Sequence, residues 1–473
     1  MKTCPYCSTP IEEYWSYCRN CNKPLITNLE DALDRNVRFP YDRQEIYHLD
    51  MDEETNKYEA TVIEDEEIDQ KIKEIDETLK RNELLGESVP GSLLLEKSSL
   101  YYKKRDLPKA LKNLELALKN FKEDNDLLNV AICHNELGII HEDNGFFDQA
   151  IYHFNNSLEL LNKLKDNHKI IKVLNNLGNI YFLIKDLEQS YNFYQEAFQL
   201  SQKEKLILEE IKSSSNLVEV LYLLKDYERI KRILAKNAEF FKDNDDIYGI
   251  IQTYIKYGKL HYIIGDDYNE SHQYLTKALE LINKISENIS VYIKAKLEWE
   301  CFLYLGKIYR LWDNITTGEN FLLQSLEAVR IFEIGDNIQE GEILENLAEL
   351  YISKGDIERA LEYYDLSCEI FYKFGDNSKN AELKFKIGKI YLEFEEDLSQ
   401  AIKFIEEALA IYEDLNYIKD CAIIYHKLGD IYLLKGMTDM AITNFESAIK
   451  YYQNIQDDYS AKLLNEKIKS LKY

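Results

Sequence analysis

The chain has 473 residues, and its 85 acidic against 58 basic side chains give a formal net charge of −27. That balance opposes general phosphate-backbone binding, where clustered Lys and Arg supply most of the affinity. No apolar run reaches the roughly 18 residues of a membrane span. Met1 to Pro10 carries cysteine and polar residues where a secretory leader would be apolar, so a soluble, cytoplasmic protein is expected.

Residues 1–25 hold Cys4, Cys7, Cys18 and Cys21 as two CxxC pairs, beside Pro5 and Pro24. Each CxxC turn presents two thiolates, and four thiolates complete a tetrahedral shell around zinc. The segment resembles the short zinc ribbons that begin many archaeal and bacterial proteins. With all four places filled by sulfur the metal has no open position for substrate, so its expected role is to hold a segment too small for a core of its own. A rubredoxin-like iron site is the rival, but Ser8 and Asn22 stand where its glycines would follow each CxxC. Basic residues near the ribbon are limited to Lys2, Arg19 and Lys23, so nucleic acid is not an expected partner.

Residues 26–65 lack hydrophobic periodicity, and between Asp50 and Glu67 nine acidic residues face one Lys. Such a segment buries too little apolar surface to offset its ordering entropy and reads as an acidic flexible linker. Residues 66–90 carry the stripe Ile68, Ile72, Ile75 and Leu79, then Gly86 as a stop, which predicts an amphipathic helix capping the array that begins at Gly91.

From Gly91 onward the chain repeats itself, and no proline follows Pro108. A small-residue slot recurs at Ser98, Gly138, Gly178, Val218, Gly258, Gly306, Ala348, Gly388 and Gly429. The intervals are 40 residues except for one of 48, one of 42 and one of 41. Three residues after each slot comes a ring or bulky side chain, as in His141, Tyr181, His261, Tyr309, Tyr351 and Tyr391. A turn follows (Gly145, Lys185-Asp186, Gly355-Asp356, Gly436). A second helix then opens on a small residue, with a large one four positions later (Leu114, Phe154, Leu322, Tyr364, Ile405, Phe445) and another small one three further on. Small residues allow two antiparallel helices to approach closely, and the large ones are expected to fill the space between one pair and the next. Each pair leaves an apolar face that only stacking buries. The fourth copy (Val218, Leu221, Ile230, Asn237) is degenerate, and the 48-residue interval before Gly306 predicts a longer helix pair or a kink. Residues 459–473, with Leu463, Leu464, Ile468 and Leu471 on one face, read as a C-terminal capping helix.

Leu177-Gly178-Asn179-Ile180-Tyr181, or Leu347-Ala348-Glu349-Leu350-Tyr351 followed by Gly355-Asp356 and Ala360, resembles the tetratricopeptide repeat (TPR). The resemblance covers residues 91–458 as nine repeats, with a period of 40 or more against the usual 34. It implies an all-α, right-handed superhelical solenoid of helix-turn-helix repeats. It also implies a concave groove, lined by the first helix of each repeat, that receives a peptide or partner protein. Groove-facing positions, opposite the packed slots, are Asn135, Asn175, Asn179 and Glu219, then Lys256, Lys259, Lys307, Arg310 and Lys389, interrupted by Asn346 and Glu349. Asn can donate to and accept from an extended backbone. The basic run predicts an acidic segment or a C-terminal carboxylate as ligand, and the acidic linker folding back into the groove is a further reading.

The chain has no Walker-type loop, GxGxxG, HExxH or GxSxG, and no enzymatic activity is expected. His134 and His141 are seven residues apart on one helix, and His141 occupies a ring slot, which reads as packing. Cys133, Cys301, Cys368 and Cys421 read as small core residues. The expected function is an adaptor or scaffold for protein–protein interaction. The alternative is a regulator whose ribbon engages nucleic acid or a transcription component while the repeats sense a peptide. Elemental analysis of the purified chain should give about one zinc per polypeptide, the stoichiometry of a four-thiolate shell, and Cys4→Ser with Cys18→Ser should abolish it.

Overall fold

The computed structural model describes residues 2–3, 10–11 and 65–472, apart from 87, 105, 266, 333–337 and 395. The four ribbon cysteines and the acidic linker before residue 65 lie outside the described residues. A two-residue antiparallel pair, β1 (Lys2–Thr3) and β2 (Pro10–Ile11), sets Lys2 opposite Ile11. All other regular structure among the described residues is helical.

The chain forms two compact units that divide after Phe240. In the first are α1 (Asp65–Leu85), α2 (Gly91–Lys103), α3 (Leu107–Glu123), α4 (Leu127–Asp143), α5 (Phe147–Leu164), α6 (Asn167–Leu183), α7 (Leu187–Glu204), α8 (Ile207–Leu223) and most of α9 (Tyr227–Asp243). In the second are α10 (Ile247–Ile264), α11 (Tyr268–Ile285), α12 (Val291–Leu311), α13 (Ile315–Phe332), α14 (Ile338–Lys354) and α15 (Ile357–Lys373). They are followed by α16 (Asn377–Glu393), α17 (Leu398–Asp414), α18 (Ile418–Leu434), α19 (Thr438–Asn454) and α20 (Asp458–Lys472).

Local chemistry sets the helix ends. Lys185 and Gly355 adopt left-handed φ of 65° and 78°. The Asp that follows each of them accepts the backbone N–H three residues on, Asp186 from Gln189 at 3.1 Å and Asp356 from Arg359 at 3.2 Å. A positive-φ residue closes one helix and an acidic cap opens the next, so the reversal needs only two or three residues.

Within each unit, consecutive helices pair as hairpins and hairpins pack on their neighbours. The small slot on the first helix receives the large slot on the second. A Cβ on Gly178 would lie 2.4 Å from the Tyr194 ring, on Gly138 2.6 Å from Phe154, and on Gly429 2.4 Å from Phe445. Those rings are fully buried. The large residues therefore fill the hollow over the glycine of their own hairpin and also reach the next element, as expected: Tyr364 packs with Leu383 and Ile387 of α16, and Lys467 of α20 lies over the Phe445 ring at 4.8 Å. Serines complete the contact: Ser157 donates to the Ala131 carbonyl at 2.8 Å and Ser367 to that of Gly341 at 2.7 Å. The degenerate fourth copy closes like the others, with Val218 and Ile230 buried and Asn237 hydrogen-bonded to Ser214.

The 48-residue interval becomes a longer helix, α12, of 21 residues, preceded by an extended turn at 286–290. Ile68, Ile72 and Ile75 of α1 pack against Leu100. On α20, Ala461, Leu464 and Ile468 are buried, but Leu463 is exposed, one step off the apolar face that the pattern assigned it to.

The glycine contact is unforgiving because the ring that would have to move is itself enclosed. Gly178→Ala should lower stability by about 1–3 kcal/mol in urea denaturation, the range for overpacking a filled core.

Candidate functional site

First helices of neighbouring hairpins touch within each unit: α4 with α6 and α6 with α8, then α10 with α12 and α12 with α14. Nearly all the residues assigned from sequence to a partner-binding groove lie on these helices.

In the first unit the touching faces are joined by amides. The Asn176 side chain donates to the Asn135 side-chain carbonyl at 3.0 Å, and Asn216 to that of Asn175 at 3.2 Å. Asn175 donates in turn to Ser213 at 2.9 Å. The Tyr194 hydroxyl donates to Asn179 at 2.7 Å. Asn135 and Asn175 have no exposed surface and tie neighbouring repeats, while the buried Asn179 anchors Tyr194 of its own hairpin, so none of the three faces outward as expected. Glu219 is half-buried. The helix period says which side a residue takes, but not that the next first helix lies against that side. Deeper in the same face Glu209 is buried. Burial pushes its carboxyl up, but His168, whose Nε2 lies 3.5 Å away, and the charges of Lys212 and Lys172 outweigh it, and the net shift is downward.

In the second unit the same contacts are ionic. Lys259 pairs with Glu300 at 3.3 Å, Lys307 with Glu342 at 2.8 Å and Arg310 with Glu349 at 2.8 Å. Lys386 reaches Glu345 at 2.6 Å and Glu349 at 3.1 Å, while Lys379 also holds Glu345 at 3.0 Å. Lys307 is buried and its ammonium lies over the Tyr304 ring at 4.8 Å. Burial alone would depress the Lys307 ammonium, but Glu342 and the Tyr304 side chain reverse this and hold it above its ordinary value. Burial raises and Lys307 more than offsets Glu342, leaving that carboxyl below the usual range. The Arg310 Nε is buried and without a hydrogen-bond partner, although its terminal nitrogen pairs with Glu349.

Asn346 is buried and donates to the Glu342 backbone carbonyl at 2.8 Å within its own helix. Lys256 is half-buried and Lys389 exposed. The structure thus brings Lys307, Arg310 and Glu349 into one charged cluster and leaves Lys389 on the open surface. It adds Glu300, Glu342, Glu345, Lys379 and Lys386, which the sequence reading did not select. A search for opposite charges about one repeat period apart would have found Glu300, Glu345 and Lys386, since Lys259 and Glu300 or Glu345 and Lys386 are each separated by 41 positions, but not Glu342 or Lys379, whose partners lie 35 and 34 positions away. Cys4, Cys7, Cys18 and Cys21 fall outside the described residues, and among the described residues no group of His, Cys, Asp and Glu can hold a metal.

Models of the tetratricopeptide repeat match residues 129–203, 341–373 and 422–455, so these stretches are tetratricopeptide repeats. A curated relative, the TPR repeat-containing protein MJ1428 of Methanocaldococcus jannaschii, is 25% identical over 330 residues, which cover 67% of this chain and 49% of that one. The chain therefore spans about half the length of that relative. Among solved structures, the apo form of the quorum sensor NprR from B. thuringiensis superposes with a TM-score of 0.51 at 14% identity, over 82% of this chain and 99% of NprR. The signal transduction ATPase PH0952 of Pyrococcus horikoshii, which carries a tetratricopeptide repeat sensor, gives 0.50 at 17% identity, over 79% of this chain and 55% of that one. The fold is an all-helical array of TPR type. No described helix is long and apolar enough to cross a membrane.

The Lys307–Glu342 pair has a defined pH window. A carboxyl held below its ordinary 4.5 stabilises the fold above that pH and loses the contribution as pH falls. An ammonium held above 10.5 stabilises below that pH and loses the contribution as pH rises. Glu342→Gln should cost about 1–3 kcal/mol at pH 7, since it leaves a buried cation without its counter-charge. The difference from the parent chain should shrink as pH falls below 4.5 and vanish only once the lowered carboxyl of folded Glu342 is itself protonated.

Proposed function

We propose that the chain is a recognition scaffold that binds a peptide or partner protein along the polar faces of its first helices. Segments rich in Asp or Glu are the preferred ligands in the second unit. The observation that carries the reading is the run of cations on α10, α12 and α16, held in place by carboxylates of neighbouring helices. Fixing the cations by packing and ion pairs lowers the ordering cost of meeting a ligand. Glu342 and Glu349 already occupy the places that ligand carboxylates would take, so binding is an exchange of one carboxylate for another.

NprR is named as a quorum sensor and the repeat array of PH0952 as a sensor, which accords with recognition rather than catalysis. Four N-terminal thiolates binding zinc belong to the same proposal, as a structural staple of the residues before the repeats.

Reversing Lys307 and Arg310 is a poor test, because each would then oppose Glu342 or Glu349 at 2.8 Å and the fold would suffer. Arg310→Gln and Lys389→Glu are gentler. A fluorescent ten-residue Asp/Glu peptide should bind the full chain with an affinity that falls as salt rises, and the double variant should weaken it several-fold. Equal binding of a neutral Asn/Gln peptide, or no effect of the variant, would remove the acidic-ligand reading.

A further inference from the structure

The ring slot of a first helix stacks on a ring of its hairpin partner. Tyr181 lies on Phe193 at 5.3 Å and 17°, Tyr309 on Phe321 at 5.4 Å and 11°, Tyr351 on Tyr363 at 5.4 Å and 18°, and Tyr391 on Phe404 at 5.5 Å and 11°. The hairpin of α4 and α5 keeps the geometry but changes the chemistry: His141 stacks on His153 at 5.1 Å and 7°. A third imidazole joins them, with His134 Nδ1 3.0 Å from His153 Nδ1. His134 and His141 are buried, and His141 Nδ1 has no hydrogen-bond partner.

A 3.0 Å contact between two Nδ1 atoms requires one to donate and the other to accept, so at least one of the two imidazoles must be neutral. Protonating both turns an attraction into donor against donor. The surroundings do not offset the charge. Lys122, from α3, adds a positive field at His134 and His153, and Phe146 and Tyr152 present ring edges. Glu159 of α5 lies in the same shallow groove as His134 but pairs with Lys163 at 2.6 Å. On α4, Asp143 accepts the Tyr102 hydroxyl of α2 at 2.7 Å. On α6, His168 and Lys172 act on Glu209 of α8.

We propose that His134, His141 and His153 form an acid-sensitive latch, closing the α4–α5 hairpin while neutral and opening it ahead of the other hairpins as pH falls toward 5. Burial, then His153 and Lys122 for His134, hold the imidazoles down to about 4. Each folded value lies below the ordinary 6.5, so the contribution to the closed state is intact above that pH and is lost between there and about 4. At pH 5 each imidazole freed to solvent favours the open hairpin by about 30-fold. Opening also breaks the Asn135–Asn176 amide contact between α4 and α6, so the latch reaches the first-helix face without depending on what binds there.

The test is hydrogen exchange with mass spectrometry on the full chain at pH 7 and pH 5, with rates corrected for intrinsic exchange. Peptides from residues 127–164 should lose at least ten-fold protection at pH 5 relative to peptides from 187–204. The variant His141→Tyr/His153→Phe, which installs the aryl stack of the other hairpins, should retain it. Unchanged relative protection in the parent chain, or an equal loss in the folded variant, would overturn the latch. If the variant fails to fold, the comparison of 127–164 with 187–204 in the parent chain decides alone.

Discussion

The contact of a ring with the bare backbone of a facing glycine, repeated down the array, is what the rest of the structure depends on. Phe154 over Gly138, Tyr194 over Gly178 and Phe445 over Gly429 leave no room for even a methyl group. At that separation dispersion contacts are complete, and the ring is withdrawn from water at about 1.5–3 kcal/mol of burial. Once two helices are locked so closely, the other relations follow from helix geometry. The aryl slot three residues on meets a ring of the partner helix, and a serine reaches the facing backbone carbonyl. The opposite side of each first helix is presented to its neighbour.

That presentation creates a second constraint, which the two units meet with different chemistry. Side chains between adjacent first helices lose water and must find partners. In the first unit neutral amides do this, through Asn135, Asn175, Asn176 and Asn216. In the second unit ions do, through Lys307, Arg310, Glu342, Glu349 and Lys386. Amide contacts are insensitive to salt and pH, whereas ion pairs respond to both.

Much of the architecture is legible in the residues themselves. The Lys185-Asp186 and Gly355-Asp356 reversals, the Gly138 and Gly178 slots and the stripe Ile68, Ile72, Ile75 are local signals whose physics acts within a turn or two of helix. The longer α12 is foreshadowed by the wide interval before Gly306. The candidate site is less legible. Asn135 and Lys307 are correctly picked as lying off the packed slots, yet their meaning depends on side chains a full repeat away, Asn176 and Glu342. His153 shows the same thing: His134 and His141 declare themselves by spacing, but their third partner sits on another helix.

What the amino-acid order determined by itself is the unit and its repetition: where helices start and stop, which positions must be small, and that the product is a helical array. Those are short-range matters of backbone conformation and steric volume. Only the tertiary structure decided which polar groups face which, turning presumed ligand contacts into amide and ionic ties and an ordinary ring slot into three imidazoles in contact. Hydrogen bonds and ion pairs act over a few ångströms, between residues that the chain separates by up to 41 positions and that folding alone brings within reach.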